Sequence, residues 1–188
     1  MPHILAIFFI TSSAILHDLR GQDHEQMIAM INRELSTIDA GIEQGNYQSK
    51  KLVFSCEGDP FDGSVIFYHD SSRIDKIIID YYYEAFSTTI QFYLEAGQPV
   101  YQEVVEKMDI GYDVTTGESQ GVDESSVRIY IRPLAAGKKR CVGMQIVNGR
   151  EEIVIEQEAC DNFQEAYFHQ VIESFQLDKQ SRVCLIYD

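Results

Sequence analysis

The chain has 188 residues, of which 45% are hydrophobic and four are proline, and it carries 30 acidic against 15 basic residues. This composition excludes disorder of the whole chain, because a domain of this length can bury roughly 70% of the surface that its unfolded chain exposes. The net charge of −15 repels phosphate backbones and anionic lipid head groups, so we expect no nucleic acid partner, whereas a basic partner is attracted.

The first element in chain order is a charge-free stretch from Ile4 to Leu16. It is shorter than the ~20 residues of a membrane-spanning helix and matches the apolar core of a secretory signal. We predict a signal peptide at residues 1–21, cleaved after Ala14 or Gly21, and a single α+β domain at residues 22–188, without membrane insertion after processing. The alternative is a buried N-terminal strand, because residues 1–3 lack the Lys or Arg that usually precedes a signal.

An amphipathic helix is predicted next, from the N-cap Asp23 to a stop at Gly45-Asn46. Its apolar positions recur at spacings of three or four, which places them in one stripe on a helix. The stripe consists of Met27, Ile31, Leu35, Ile38 and Ile42. We therefore expect a surface helix with one side buried.

A series of short apolar segments separated by turn residues follows, which predicts strands. They are Leu52–Cys56, Val65–His69, Ile74–Tyr83, Thr88–Leu94, Val100–Val105, Val127–Arg132, Cys141–Val147 and Glu151–Ile155, with a last strand at Val183–Tyr187. Short connections make consecutive strands hairpin neighbours, and Asn148-Gly149 is the strongest hairpin signal. The predicted fold is an antiparallel β-meander of about six to eight strands, with an N-terminal and a C-terminal amphipathic helix.

Two segments complete the predicted architecture. Between Asp109 and Ser126 the chain has acidic residues and glycines without apolar periodicity, which predicts a long exposed acidic loop. From Asp161 the spacing of Phe163, Tyr167 and Val171 predicts the C-terminal helix, with Asp161 or Asn162 as its cap.

The cysteines are Cys56, Cys141, Cys160 and Cys184, and none of them forms a CxxC pair. Zinc ribbons and thioredoxin-type motifs need that pairing and are disfavoured. In an oxidising compartment four cysteines allow three disulfide connectivities, of which we favour Cys141–Cys160 together with Cys56–Cys184. In the cytosol all four are expected to be small buried hydrophobic residues.

The sequence has no phosphate-binding glycine motif, no GxSxG elbow and no HExxH helix, so we expect no cofactor, no metal and no catalytic residue that can be named. A Cys56–His69 nucleophile pair is disfavoured because a bridged cysteine is unreactive. The stretch from Asp113 to Glu124 has the length of an EF-hand loop, but Glu118 occupies the position that requires glycine. Paired carboxylates acting on a glycoside are possible, although sequence spacing does not show them.

Tyrosine is unusually frequent in the strand region, with eleven in the chain and no tryptophan. By strand alternation, one face of the sheet is predicted to carry Tyr93, Tyr101, Arg128, Tyr130 and Arg132. Tyr and Arg are the residue types that most often anchor binding interfaces, so we predict a binding face here. The alternative is that a helix covers these tyrosines as ordinary packing.

The cadence of three stretches resembles that of small exported proteins of some Gram-negative bacteria. The stretches are GSVIFYHDSSRIDKIIIDYY, TIQFYLEAGQPVYQEV and ESSVRIYI, and the resemblance covers residues 24–132. It implies an exported protein with a tyrosine-rich meander, and it brings with it no activity and no functional residue.

Three functions follow as hypotheses. The first is an exported, periplasmic or secreted, non-catalytic binding protein that recognises a protein or an envelope component through the Tyr/Arg face and the acidic loop. The second is an extracytoplasmic hydrolase that uses paired carboxylates, which a concave pocket with two close acids would favour. The third is an acidic cytoplasmic inhibitor of a basic toxin, which requires the first sixteen residues to be part of the folded protein.

Overall fold

Helices pack on both faces of one long antiparallel sheet in the computed structural model of the chain. The structure describes residues 5–55, 62–71, 73–83, 85–113, 115–116, 118–119, 121–134, 138–147, 150–154, 156–161, 163 and 165–176. The predicted α+β class and the antiparallel meander are therefore confirmed. The predicted strand Val183–Tyr187 lies outside the described residues.

The main sheet has eight strands in the order β1-β2-β3-β4-β5-β8-β9-β10, and β6 and β7 form a separate two-stranded sheet. The strands are β1 Gln48–Ser55, β2 Asp62–Asp70, β3 Arg73–Tyr83, β4 Phe86–Glu95, β5 Gln98–Asp109, β6 Tyr112–Asp113, β7 Glu118–Ser119, β8 Val122–Pro133, β9 Lys139–Val147 and β10 Arg150–Val154. Val147 pairs with Arg150, so the predicted last hairpin is confirmed, although Asn148 and Gly149 lie outside the described residues.

The alternation predicted along β8 separates two cores. Ile129 and Ile131 belong to the core between the sheet and the C-terminal helices, whereas Tyr130 belongs to the core under the N-terminal helix. In β4 the same alternation places Phe92 in the first core and Tyr93 in the second. Alternate residues of these strands are thus buried on opposite faces of the sheet, and helices cover both faces.

The N-terminal helix α1, Leu5–Glu43, crosses the strands on one face of the sheet. Its stripe of Met27, Ile31 and Leu35 is buried against the sheet, as predicted. The start differs from the prediction, because Asp23 lies inside the helix instead of capping it. No proline interrupts the chain between Leu5 and Glu43, so the helix continues through the apolar segment without a break. The alternative of an N-terminal strand is not observed for residues 5–43.

The end of α1 follows the prediction closely. Gly45 has a φ of 75°, its N–H donates to the carbonyl of Ile42 at 3.0 Å, and the N–H of Asn46 donates to that of Gly41 at 2.9 Å. These two bonds form a Schellman motif, which requires a left-handed residue and therefore favours glycine. Among the described residues, no helix is long and apolar enough to cross a membrane.

The C-terminal helical segment lies on the other face and contains two helices: the helix predicted from Asp161 begins at Glu165, and a short helix before it was not predicted. Helix α2, Glu156–Asp161, ends where the prediction placed a cap, and α3 covers Glu165–Ser174. Phe163 lies between them with its side chain buried, and its carbonyl accepts a bond from the N–H of Glu165. The turn between the two helices directs the side chain of Phe163 into the core.

The predicted acidic loop is shorter than expected. β5 extends to Asp109 and β8 already begins at Val122, with Asp109 opposite Val122, so Ser126 is a buried strand residue. The connection at 110–121 contains the small β6–β7 hairpin. Asp109 begins it by accepting a bond from the N–H of Gly111 at 3.0 Å. The strands extend this far because polar residues on paired strands satisfy their backbone groups as well as apolar ones do.

Candidate functional site

Three tyrosines of the predicted binding face form a ladder across β4, β5 and β8. The ring centroids of Tyr93 and Tyr101 are 5.7 Å apart, and those of Tyr101 and Tyr130 are 5.1 Å apart, both edge to face. All three are buried beneath α1, with at most 6% of each residue exposed. The structure therefore brings the predicted tyrosines together and places a helix over them.

Polar contacts at the same layer fix α1 to the sheet. The carboxylate of Asp39 accepts bonds from the Tyr93 hydroxyl at 2.8 Å and from Lys76 Nζ at 2.7 Å, and Lys76 Nζ lies 4.6 Å from the Tyr93 ring centroid. The side chain of Asn32 lies close to the hydroxyl of Tyr130 and partly offsets the increase in pKa that burial causes there. The helix thus contacts β3 at Lys76, β4 at Tyr93 and β8 at Tyr130.

The environment of the ladder favours neutral phenols. Burial raises the pKa of Tyr93, and the nearby Asp39 carboxylate raises it further. Burial also raises the pKa of Tyr101, with a smaller contribution from the negative charge of Glu103. Burial is again the main cause for Tyr130, whose pKa is raised. These hydroxyls are therefore structural groups in this arrangement and do not ionise readily.

The two predicted arginines lie at different places on β8. Arg128 Nε donates to Glu103 Oε1 at 2.8 Å in a partly exposed ion pair, and this hydrogen bond is the main reason why the pKa of Arg128 is raised. Arg132 is exposed near the end of the strand and lowers the pKa of Asp23, although Arg140 is the larger cause. Arg128 and Arg132 are accessible to a partner without movement of α1. Binding by the five residues stays a prediction.

The predicted disulfide Cys141–Cys160 is present, with an S–S distance of 2.10 Å and a Cα–Cα distance of 5.2 Å. It joins α2 to β9. Cys56 and Cys184 lie outside the described residues, so the second disulfide, Cys56–Cys184, stays a prediction.

One end of the sheet, which we call the basic end, is where β3 begins at Arg73, β4 ends at Glu95, β8 ends at Pro133 and β9 begins at Lys139. Two clefts open there, one on each face, and the turn between β4 and β5 separates them. That turn holds Ala96 at a φ of 50°, a left-handed conformation unusual for a residue other than glycine.

The first cleft lies between α3 and the β8–β9 connection and has a volume of about 360 Å³. Its floor is apolar, and its rim carries Lys138, Lys139, Glu165 and His169. Lys139 Nζ pairs with Glu165 Oε2 at 3.0 Å and lies 4.6 Å from the Phe163 ring centroid. This bond is the main reason why the pKa of Glu165 is lowered.

The second cleft lies under the end of α1 and has a volume of about 330 Å³. Glu34 and Glu95 both line it; burial raises the pKa of Glu34, and the negative charge of Glu95 raises it further. At its edge Arg73 forms two hydrogen bonds with the buried carboxylate of Asp75, at 2.7 and 3.1 Å. The carboxylates of Glu34 and Glu95, which repel each other, therefore line this cleft, and the Arg73–Asp75 ion pair lies at its edge.

The opposite end, which we call the acidic end, is where β3 ends at Tyr83, β5 ends at Asp109 and β8 begins at Val122. Of the eight large hydrophobic side chains exposed among the described residues, six lie toward this end, namely Val53, Tyr82, Met108, Ile110, Val122 and Val147. Four exposed carboxylates accompany them, those of Glu106, Asp109, Asp123 and Glu124. The exposed apolar surface and the excess of acid thus coincide.

Within the described part of the chain, no three His, Cys, Asp or Glu side chains are arranged to hold a metal ion. Comparison of the chain with protein-family models, with curated proteins and with solved structures found no match. The candidate sites therefore depend on their own chemistry.

Sequence reasoning missed the basic end of the sheet, whereas the acidic loop predicted between Asp109 and Ser126 lies at the acidic end. One signal for the basic end was present, since residues 132–140 contain four basic residues and no acidic one. The floor of the first cleft was not predictable in this way, because Pro99, Ile131 and Phe168 come from three distant segments.

Proposed function

We propose that this protein is a non-catalytic binding protein that acts outside the cytoplasm and recognises a basic partner protein through the acidic end of its sheet. The observation that carries the proposal is the coincidence of exposed hydrophobic side chains with exposed carboxylates at that end. Exposed apolar patches with a polar rim are typical of protein interaction sites. The surplus of acid attracts a positively charged surface and increases its rate of association.

The centre of this surface is formed by neighbours on β5 and β8. Met108 is 55% exposed, Val122 is 59% exposed and Ile110 is 54% exposed. Asp109 pairs with Val122 and Met108 with Asp123, and the N–H of Ile110 donates to the carbonyl of Gly121, so the three occupy adjacent positions at the tip of the sheet, with Met108 and Val122 on opposite faces. Arg128 lies further along β8 and extends the surface toward α1, which connects the proposal to the binding face predicted from sequence.

The extracytoplasmic setting is supported by the Cys141–Cys160 bridge, since disulfides persist in oxidising compartments. Mass spectrometry of the natively expressed protein tests it. We expect an N-terminus that follows Ala14 or Gly21, together with a bridged peptide that contains Cys141 and Cys160. An intact Met1 with reduced thiols would instead support the acidic cytoplasmic inhibitor, for which the same acidic end would contact a basic toxin.

Two exposed methionines allow a matched test of the contact surface. Met108 lies at the acidic end, whereas Met30 is 48% exposed on α1. A photo-crosslinking phenylalanine analogue is introduced at one position or the other, and the cells that naturally make the protein are irradiated. We expect a discrete adduct from position 108 that disappears when Asp109 and Asp123 are changed to Asn, and no adduct from position 30. Equal adducts from both positions would refute the surface.

A second candidate function, a hydrolase with paired carboxylates, is favoured by one observation. The second cleft contains Glu34 and Glu95, and the pKa of Glu34 is raised, as a general acid requires. Chromogenic glycosides provide the test. Turnover that Glu34→Gln and Glu95→Gln each abolish, while Glu106→Gln leaves it unchanged, would establish this function. Turnover that is indifferent to these changes would exclude it.

A further inference from the structure

The β8–β9 connection is the most basic part of an acidic chain. Residues 132–140 include four of the 15 Lys and Arg residues and no acid. The described part of this connection is closed by a bond from the N–H of Leu134 to the carbonyl of Lys138 at 2.7 Å. It therefore places positive charge at the mouth of the first cleft, at the end of the sheet remote from the proposed protein-binding surface.

The floor of this cleft is hydrophobic and well ordered by packing. Ile131, Phe163 and Phe168 are buried, with 2%, 6% and 3% exposed, and Phe92 packs against both phenylalanines from the core side. Pro99 adds an apolar wall from the β4–β5 turn. A mostly apolar cleft with a few polar groups at its rim is the usual form of a small-molecule site.

The charges at the rim do not cancel. Glu165 is occupied by Lys139, and the pair is held next to the Phe163 ring. Lys138 is exposed on the same rim, and no carboxylate among the described residues lies within ion-pairing distance of it. His169 faces the cleft from α3. A cation and an imidazole therefore remain for an anionic group that enters from solvent.

We propose that this cleft binds a small amphiphilic carboxylate, with its apolar body on Phe163 and Phe168 and its carboxylate held by Lys138 and His169. Charge-assisted hydrogen bonds from Lys and His to a carboxylate are stronger than neutral ones. At the ~30 Å³ that a water-sized group occupies, the cleft admits about twelve non-hydrogen atoms. A medium-length fatty acid and the C-terminal residue of a peptide both have this size and chemistry.

The test uses octanoate, octanol and N-acetyl-leucine, which stands for the last residue of a peptide, as probes of the full chain, with isothermal titration calorimetry and amide NMR shifts as readouts. We expect octanoate to bind about tenfold more tightly than octanol, because octanol lacks the charge that Lys138 recognises. Shifts are expected at Ile131, Leu134 and Phe168. Tighter binding of octanoate than of N-acetyl-leucine points to an acyl carboxylate, and the reverse order points to a peptide C-terminus.

Two variants that each remove one positive charge distinguish recognition of the carboxylate by Lys138 from the long-range electrostatic field of the whole protein. Lys138→Gln is expected to weaken octanoate binding about tenfold, while Lys107→Gln, at the acidic end, changes it less than about twofold. Leu134→Glu, which adds an anion to the rim, should weaken it further. All three positions are on the surface, so folding is not at risk.

Three outcomes would overturn the proposal: no saturable binding of octanoate or of N-acetyl-leucine, equal binding of octanoate and octanol, or equal effects of Lys138→Gln and Lys107→Gln. The result is independent of the proposed protein-binding surface, because a failure of the crosslink at position 108 leaves the cleft and its probes unaffected.

Discussion

The basic and acidic ends belong to the same strands but use their side chains differently. At the basic end, cations pair with acids across elements: Lys76 with Asp39, Lys139 with Glu165, and Arg140 with Asp23. At the acidic end, Lys107 and Glu124 form an exposed pair, and the large hydrophobic side chains are open to solvent. α1 packs over Tyr93, Tyr101 and Tyr130 in the half of the sheet toward the basic end, so we expect the packing of this helix to stabilise that half more than the acidic end.

The largest expected contrast is between an aromatic side chain in the core and an aromatic side chain at the acidic end. Phe92 is completely buried between the sheet and α3, whereas Tyr82 is 58% exposed near the acidic end. Phe92→Ala should lower the free energy of unfolding by about 3–5 kcal/mol, because it leaves a cavity. Tyr82→Ala should change it by less than about 1 kcal/mol. Urea denaturation measures both, and similar losses would contradict the division of the sheet.

Removal of the disulfide is the next largest change. The Cys141→Ser, Cys160→Ser double variant opens a loop with a sequence separation of 19 and should lose about 3 kcal/mol. Hydrogen exchange should then accelerate in α2 and at the start of β9, while amides of β5 near Asp109 keep their rates. A uniform acceleration along the sheet would show that the two halves are not separate in stability.

Alkaline pH provides a third test, through the tyrosine ladder. Because burial raises the pKa of Tyr101, the folded chain keeps this proton at a pH where the unfolded chain has lost it. The associated stability is present below pH ~10 and is lost as the pH rises, with a slope of about 1.4 kcal/mol per pH unit for each such group. Tyr101→Phe should remove one such contribution from the slope measured above pH ~10. Identical slopes in this variant and in the unchanged chain would refute this role.

The smallest expected contrast is between two lysines. Lys76 is 8% exposed and contacts both Asp39 and the Tyr93 ring, while the Lys107 side chain is 50% exposed. Lys76→Met should cost about 1–2 kcal/mol, because it removes a partly buried ion pair and a cation–π contact. Lys107→Met should cost less than about 0.5 kcal/mol. Urea denaturation at low and high salt measures both, and a larger loss for Lys107→Met would reverse the comparison.

The elements that depend on local pattern were predictable. The alternation of Val127 to Arg132 predicted which side chains of β8 face opposite cores, and Gly45 predicted the end of α1. In both cases neighbouring residues carry the physical cause. The Cys141–Cys160 disulfide, favoured among the three possible connectivities, is also present.

The rest depends on contacts between distant segments. The stripe of α1 and the tyrosine face were both recognised, but nothing in either pattern indicates that they face each other, since Asp39 and Tyr93 are 54 residues apart. The helix α2 was missed because its six residues are too few to show a helical apolar period. The first cleft needs the turn after β4, the end of β8 and α3 to converge, which only the tertiary fold determines.

The order of the strands has a consequence for how the molecule is made. Because each strand of the long sheet pairs with its predecessor in that sheet, the sheet can grow in the order in which the chain is synthesised. α1 is the exception, since it is made first but must wait for Val142 and Met144 of β9 before its docking surface is complete. Until then its apolar stripe is exposed on a nascent chain, and this is the stretch that a chaperone would shield.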